Sequence, residues 1–210
     1  PTRRSSDLQN VFSVECKNNH LSHEIIRPHN QKNFSITSII SSHDLFVLGE
    51  DPEFFNFLAD DFYHLLNPIV TKASRPILIA RNATLLSGDI VVAFDGSAAS
   101  SRAVQIAFLM GFYINKKMHL INVNDNKLAS REQLKWIELF LQAHGVSFNA
   151  VSLISQENTS KVILDFIAQF KISLVILGAS DKKRLESFFI ESACKELIES
   201  PHTPSIFLYS

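Results

Sequence analysis

The chain has 210 residues, 46% of them hydrophobic, and can therefore bury a sizeable core. Its 20 basic and 21 acidic residues leave a net charge of −1, which gives no electrostatic case for binding nucleic acid. Two cysteines are too few for a disulfide framework, and no apolar stretch approaches the ~20 residues of a membrane helix. We therefore expect a cytoplasmic protein with neither nucleic acid nor membrane as a partner.

The first predicted elements lie before residue 81. Residues 1–8 are polar and show no pattern, so we leave them out of the fold. His20 and His23 are three residues apart and could share a helix face, but no third ligand for zinc is nearby, and we expect no metal site. Residues 45–49 (LFVLG) and 75–79 (RPILI) are short apolar runs with the character of buried strands.

From residue 89 onward, predicted strands and helices alternate. Short β-branched apolar runs indicate strands buried on both faces, and apolar residues at helical spacing indicate amphipathic helices. Strands are predicted at 89–94, 118–123, 146–153, 172–177 and 204–209, and helices at 98–112, 129–144, 160–170 and 192–199. We therefore predict an α/β fold with a doubly wound, five-stranded parallel sheet in the flavodoxin-like order 3-2-1-4-5.

This strand order also predicts where a ligand would bind. The chain reverses direction in the sheet between the first and fourth strands, and ligands of such folds bind beyond the carboxyl ends of those strands. Here the first strand ends in Asp95-Gly96-Ser97, a turn followed by a helix start, and the fourth ends at Gly178.

The region before residue 81 repeats part of the later pattern. Residues 45–49 resemble 174–178, and 75–79 resemble 203–207. Gly49 and Pro76 are 27 residues apart, and Gly178 and Pro204 are 26 apart. A repeat at matched spacing is stronger evidence than either half alone. We predict a partial, C-terminal half-copy in residues 1–81, a linker in 82–88 and a complete domain in 89–210.

Three segments resemble the universal stress protein family: 91–104 (VVAFDGSAASSRAV), 119–123 (HLINV) and 174–209. The resemblance implies a Rossmann-like fold of the HUP type, a role in stress response, and a tandem arrangement with a truncated first domain. It also implies dimerisation through the last strand, here 206–209. We expect residues 77–80 to pair with that strand as an intrachain pseudo-dimer, and the incomplete first copy to promote further dimerisation by exposing apolar surface.

Many members of this family bind ATP through glycines spaced as Gly, two residues, Gly, nine residues, Gly-Ser. Gly178 and Ser192 match the two ends of this pattern, whereas Asp181 and Glu191 replace the second and third glycines. Glycine lets backbone amides approach phosphates without an intervening Cβ. A carboxylate instead repels phosphate, by about 4 kcal/mol at ~4 Å and an effective dielectric of ~20. We therefore predict no ATP or other cofactor.

The resemblance places the family's adenine contacts on the Asp95 side chain and the Val123 backbone. Together with Gly178 and Ser192, these are the residual nucleotide-site positions. Asp95 and Ser192 could instead serve as helix caps. Cys194 is expected in the first turn of the last helix, packed or, as a thiolate, redox-active.

Two functions follow from these observations. The first is a non-catalytic stress-response protein of the universal stress protein type, acting through (pseudo)dimerisation and an unidentified protein partner. The alternative is an ATP-binding stress sensor in which the basic residues 182–184 replace the missing glycines. No nucleophile and base are arranged for catalysis, so we predict no enzymatic activity beyond, at most, weak ATP hydrolysis.

Overall fold

The computed structural model describes residues 3–25, 40–49, 75–81, 87–179 and 188–209. The chain forms two compact units, Pro1–Ile36 and Thr37–Ser210. The first contains helix α1 (Arg3–Asn18), which includes residues that the sequence left without a predicted structure. His20 and His23 follow the end of α1, so the expectation that they share a helix face is wrong. No group of three metal-binding side chains occurs among the described residues.

The second unit contains the predicted alternation of strands and helices. The strands are β1 (Phe46–Gly49), β2 (Ile77–Ala80), β3 (Asp89–Ala93), β4 (Met118–Asn124), β5 (Phe148–Ile154), β6 (Ile172–Gly178) and β7 (Ser205–Tyr209). The described helices are α2 (Ala98–Leu109), α3 (Lys127–Ala143), α4 (Thr159–Gln169) and α5 (Phe188–Glu199). In the part of the chain that the structure describes, no helix is long and apolar enough to cross a membrane.

All seven strands belong to one sheet, in the order β1-β2-β7-β6-β3-β4-β5. Within the group β3 to β7, every pair of neighbouring strands is parallel. Numbered from β3, these five strands have the order 3-2-1-4-5, so the predicted order is confirmed. The sheet is wider than the five strands predicted, because β2 pairs antiparallel with β7 and β1 pairs parallel with β2. The predicted pairing of 77–80 with the last strand is therefore present within one chain. The proposed division at 82–88 stays a prediction, since residues 82–86 lie outside the described part.

Helices cover both faces of the sheet. On one face, α2 and α3 pack on a core that includes Ile90, Val92, Leu120, Ile176 and Phe207 from the strands and Ala103, Val104, Leu134 and Ile137 from the helices. On the other face, the buried ring of His119 packs against Phe166 of α4. Trp136 of α3 is 75% exposed and lies outside this core.

The pairing of the four strands at one side of the sheet is symmetric. Opposite residues in β2 and β7 are Ile77 and Leu208, Leu78 and Phe207, and Ile79 and Ile206. In the flanking parallel pairs, Gly49 lies opposite Ala80 and Gly178 lies opposite Tyr209. If β2 is superposed on β7 with Leu78 on Phe207, and β1 is superposed on β6, each residue pair coincides with another pair of the same set. The four strands therefore have the register of a local two-fold arrangement centred on Leu78 and Phe207.

Candidate functional site

A cleft of about 240 Å³ opens at the carboxyl ends of β3, β4 and β6, where the strand order predicted a ligand. Three of the predicted site residues line it together: Asp95, Val123 and Gly178. Helices α4 and α5 contribute a largely apolar wall that consists of Thr159, Ile163, Ala193, Cys194 and Leu197. The fold thus brings residues from distant parts of the chain to one cleft.

Asp95 lies in the turn between β3 and α2. Its Oδ1 accepts a hydrogen bond from the Ser97 amide at 3.0 Å. Ser97, not Asp95, is the N-cap of α2, because its Oγ accepts from the Ser100 amide at 3.0 Å. Gly96 between them has φ +80°, a conformation that glycine adopts without strain. The turn uses one carboxylate oxygen of Asp95 and leaves Oδ2 without a partner among the described residues, at the cleft.

Val123 presents backbone groups to the cleft. In parallel strands, successive residues direct their amide and carbonyl alternately to the two neighbouring strands. The Ile121 carbonyl accepts from the Phe94 amide, on the β3 side, and the Asn124 carbonyl accepts from the Ser155 amide, on the β5 side. Val123 therefore faces the β3 side, beyond the last residue of that strand. Its position is the one that the family resemblance predicts for a backbone contact.

Gly178 is required by packing. A Cβ at this position would lie 2.2 Å from the Ser100 amide nitrogen and 2.6 Å from the Ala99 carbonyl carbon. Both are backbone atoms in the first turn of α2, which cannot yield as a flexible side chain would. This close approach of helix to strand explains the glycine without any ligand.

Three amide side chains form a cluster at the cleft that the sequence reasoning missed. Asn122 Nδ2 donates to the Phe94 carbonyl at 2.6 Å and to Gln133 Oε1 at 2.9 Å. Gln133 Oε1 also accepts from Asn124 at 3.4 Å. Asn122 is buried, and its Oδ1 has no partner among the described residues. The cluster ties β3, β4 and α3 together, and the two asparagines among the apolar residues at the end of β4 (LINVN) were the signal for it.

Hydrogen bonds join the two helices that form the cleft wall. Glu196 of α5 accepts hydrogen bonds from Asn158 at 3.1 Å and from the Ser160 hydroxyl. Asn158 is also the N-cap of α4, since its Oδ1 accepts from the Ser160 amide at 2.8 Å. The bonds from Ser160 and then Asn158 hold the pKa of Glu196 below its ordinary value.

Helix α5 begins at Phe188, four residues before its predicted start at Ser192. Ser192 is therefore not a helix cap, and Cys194 lies in the second turn instead of the first. The Cys194 Sγ contacts the Gly178 carbonyl at 3.7 Å, which makes it a packed residue of the wall. Asp181 lies outside the described residues, as do the side chains of Glu191 and Ser192, so their predicted roles at the nucleotide site stay predictions.

No family model and no curated protein matches the chain. A universal stress protein from Archaeoglobus fulgidus DSM 4304 is 16% identical and superposes on 100% of this chain and 77% of its own, with a TM-score of 0.68. A Pseudomonas aeruginosa UCBPP-PA14 protein provisionally assigned to the universal stress proteins is 17% identical, over 100% of this chain and 79% of its own, with a TM-score of 0.60. The chain has the fold of universal stress proteins, and these identities extend the likeness no further than the fold.

Proposed function

We propose that this chain is a stress-response protein of the universal stress protein type that acts without catalysis, through strand pairing and partner binding, and does not bind ATP. The observation that carries the absence of ATP binding is the start of α5 at Phe188. A helix binds phosphate through the free amides of its first turn. The Ser192 amide lies beyond that turn and donates within the helix instead.

The cleft adds two further arguments against a triphosphate. At about 240 Å³ it is smaller than the roughly 300–1,000 Å³ of ordinary ligand pockets. Asp181 and Glu191 bring negative charge to the two positions at which ATP-binding relatives of this sequence pattern have glycine. The small volume opposes a bulky ligand in the cleft, and the negative charge opposes its phosphates.

The pairing of β2 with β7 supports the proposed pseudo-dimer and the tandem arrangement. The resemblance predicts that the last strand pairs antiparallel with an equivalent strand. In this chain, Ile77–Ala80 occupies that edge, in the symmetric register described above. We infer that the partial first copy serves to cover the β7 edge, and that any further partner binds elsewhere.

A nucleotide sensor is the second candidate function. It is favoured by Asp95 and Val123, because both line the cleft and the resemblance implies adenine contacts at these two positions. In such a sensor the nucleoside would occupy the cleft, and the basic residues 182–184 would have to hold the phosphates.

Isothermal titration calorimetry with Mg-ATP separates the two functions. We expect no binding in the micromolar range, and none after the double substitution Asp181→Gly with Glu191→Gly. Micromolar binding that Asp95→Ala abolishes would overturn the non-binding proposal and establish the sensor. Asp95→Asn is the matched control, because its side-chain oxygen keeps the hydrogen bond from the Ser97 amide while its charge is lost.

A further inference from the structure

Among the described residues, the outer edge of β5 is open. β5 stands at one end of the sheet order, and no described strand pairs with its outer side. It pairs with β4 through all seven of its residues without a register shift. Its sequence, FNAVSLI, contains no charged residue, proline or glycine, the devices that ordinarily prevent an edge strand from pairing with another chain.

The hydrogen-bonding groups of this edge can be identified residue by residue. The Ser155 amide donates to the Asn124 carbonyl of β4 at 3.0 Å, so residues in the same phase as Ser155 face inward. Residues of the opposite phase direct their amide and carbonyl away from β4. These outward-facing residues are Phe148, Ala150, Ser152 and Ile154.

A groove lies on each side of the edge, and the two grooves differ in charge. The groove on the α3 side, of about 520 Å³, contains three cations and one carboxylate: Lys127, Arg131, Lys135 and Glu138. The three cations are exposed, are spaced one helical turn apart, and form no ion pair with any described carboxylate. The groove is therefore basic and parallel to an open edge.

The groove on the α4 side, of about 470 Å³, is mainly apolar. It is lined by Val151, Leu153, Val162, Phe166 and Phe170, with Asp165 as its charged residue. Phe170 remains 41% exposed there, and Ile154 at the end of the strand is 47% exposed. Apolar surface beside an open edge is stabilised when an added strand covers it.

We propose that the outer edge of β5 binds an extended segment of another protein as an additional strand, with acidic side chains toward α3 and apolar side chains toward α4. Side chains of a strand alternate between its two faces, so one segment serves both grooves if acidic and apolar residues alternate along it. Main-chain hydrogen bonds to Ala150, Ser152 and Ile154 supply affinity, and the two grooves supply specificity. β5 contributes no residue to the nucleotide-type cleft, so the ATP experiment above does not affect this proposal.

Fluorescence anisotropy with labelled, end-capped heptapeptides tests the binding. The probe alternates glutamate and valine, and its matched control alternates lysine and valine. We expect the acidic peptide to bind at least about tenfold more tightly. Its affinity should fall as salt is raised, because the three cations are exposed. Equal affinity for the two peptides, or no binding of the acidic one, would overturn the proposal.

Two sets of variants locate the binding surface. The triple substitution Lys127→Glu, Arg131→Glu and Lys135→Glu should lower the affinity for the acidic peptide at least about tenfold. The substitution Lys117→Glu lies outside the groove and should leave this affinity unchanged. Ser152→Pro removes one outward amide and should abolish binding. Its control, Ser152→Ala, keeps that amide and loses only the hydroxyl contact with Ser130.

Far-UV circular dichroism establishes whether each variant folds. If Ser152→Pro does not fold, the triple charge variant decides the test. Analytical ultracentrifugation tests whether a second copy of the chain occupies the edge instead. The proposal is wrong if three results occur together: the protein forms a dimer, Ser152→Pro dissociates that dimer, and the acidic peptide does not bind. The edge would then be a contact between two copies of the chain.

Discussion

Leu78 of β2 and Phe207 of β7 lie opposite each other across the antiparallel pair that joins the two parts of the sheet, and both side chains are buried. Phe207 belongs to the core under α2 and α3, where its ring also packs against Phe112 with centroids 5.3 Å apart. Since Leu78 belongs to the same core, the short strand β2 is part of the main hydrophobic core and not a detached appendage.

The buried position of Leu78 leads to the first prediction. Leu78→Ala should lower the free energy of unfolding by about 2–5 kcal/mol, because it leaves a cavity in a packed core. Urea denaturation followed by circular dichroism measures the change. Val47→Ala in β1 is the control, since Val47 is 53% exposed and should change stability by at most about 0.5 kcal/mol. Equal effects would mean that β2 is not packed as described.

The two equivalent glycines of the symmetric strand pairs should respond differently to a methyl group. Gly178→Ala should destabilise the protein by about 1–3 kcal/mol, because the Cβ would lie 2.2 Å from the Ser100 amide nitrogen and force backbone apart. Gly49→Ala should be nearly neutral, because no described atom lies within 4 Å of the position that its methyl group would occupy. Thermal denaturation compares the two variants. A tolerated Gly178→Ala would contradict the close packing of α2 on β6.

Arg81, directly after β2, holds the end of α5. Its guanidinium donates to the carbonyls of Ser200 at 2.8 Å and Thr203 at 3.3 Å, and also to that of Ile198. A cation is favourable at a helix C-terminus, and the planar guanidinium reaches several carbonyls at once.

Arg81→Lys should therefore destabilise the protein by about 1–3 kcal/mol despite keeping the charge, because buried carbonyls lose their donors. Chemical denaturation gives the value. The exposed Arg75, which donates to the Ser41 carbonyl at 3.2 Å, provides the control substitution Arg75→Lys, for which we expect little change. If Arg81→Lys left the free energy of unfolding unchanged, the positive charge alone would be sufficient and the several N–H donors of the guanidinium would not be needed.

Glu196 should make stability depend on pH. Hydrogen bonds from Ser160 and Asn158 lower its pKa below its ordinary value in the folded protein, so the unfolded chain binds the proton more tightly. The stabilisation is fully present well above the ordinary pKa of glutamate and is lost as the pH falls through the lowered pKa. Glu196→Gln should thus lower the Tm at pH 7, and the difference from the unmodified protein should shrink in acid. Glu132→Gln, on the exposed surface of α3, should show no such trend. If the Tm difference for Glu196→Gln were the same at all pH values, the hydrogen bonds to Glu196 would not be the source of the pH dependence.

Local patterns in the sequence were sufficient for most of the fold. The β-branched apolar runs and the helical periodicity after residue 89 place β3 to β7 and α2 to α4 within a few residues of their bounds, because each element buries its own apolar face. The start of α5 was predicted four residues too late, at Ser192 instead of Phe188. With Glu191 in place of glycine, no residue of low helix propensity interrupts the chain from Phe188 onward.

The strand pairing agrees with the predicted match of 45–49 with 174–178, but it shifts the predicted match of 75–79 with 203–207 by one residue. Matching the two prolines places Pro76 on Pro204, whereas the equivalence of Gly49 with Gly178 and of Ala80 with Tyr209 places Pro76 on Ser205. Prolines mark where a strand can begin, but its register is decided by which side chains are buried against the neighbouring strand.

The sequence by itself determined the alternation of elements, the order of the five parallel strands and the edge of the sheet at which Asp95, Val123 and Gly178 meet. These follow from periodicity and from the handedness of parallel connections, which are local or general properties. Only the tertiary structure decided that Gly178 is needed for packing against Ser100, that Arg81 caps α5 and that Asn122 and Gln133 join at the cleft. It also decided that no described strand pairs with the outer edge of β5, which lies between a basic and an apolar groove. Each of these depends on atoms far apart in the chain, whose approach no local pattern encodes.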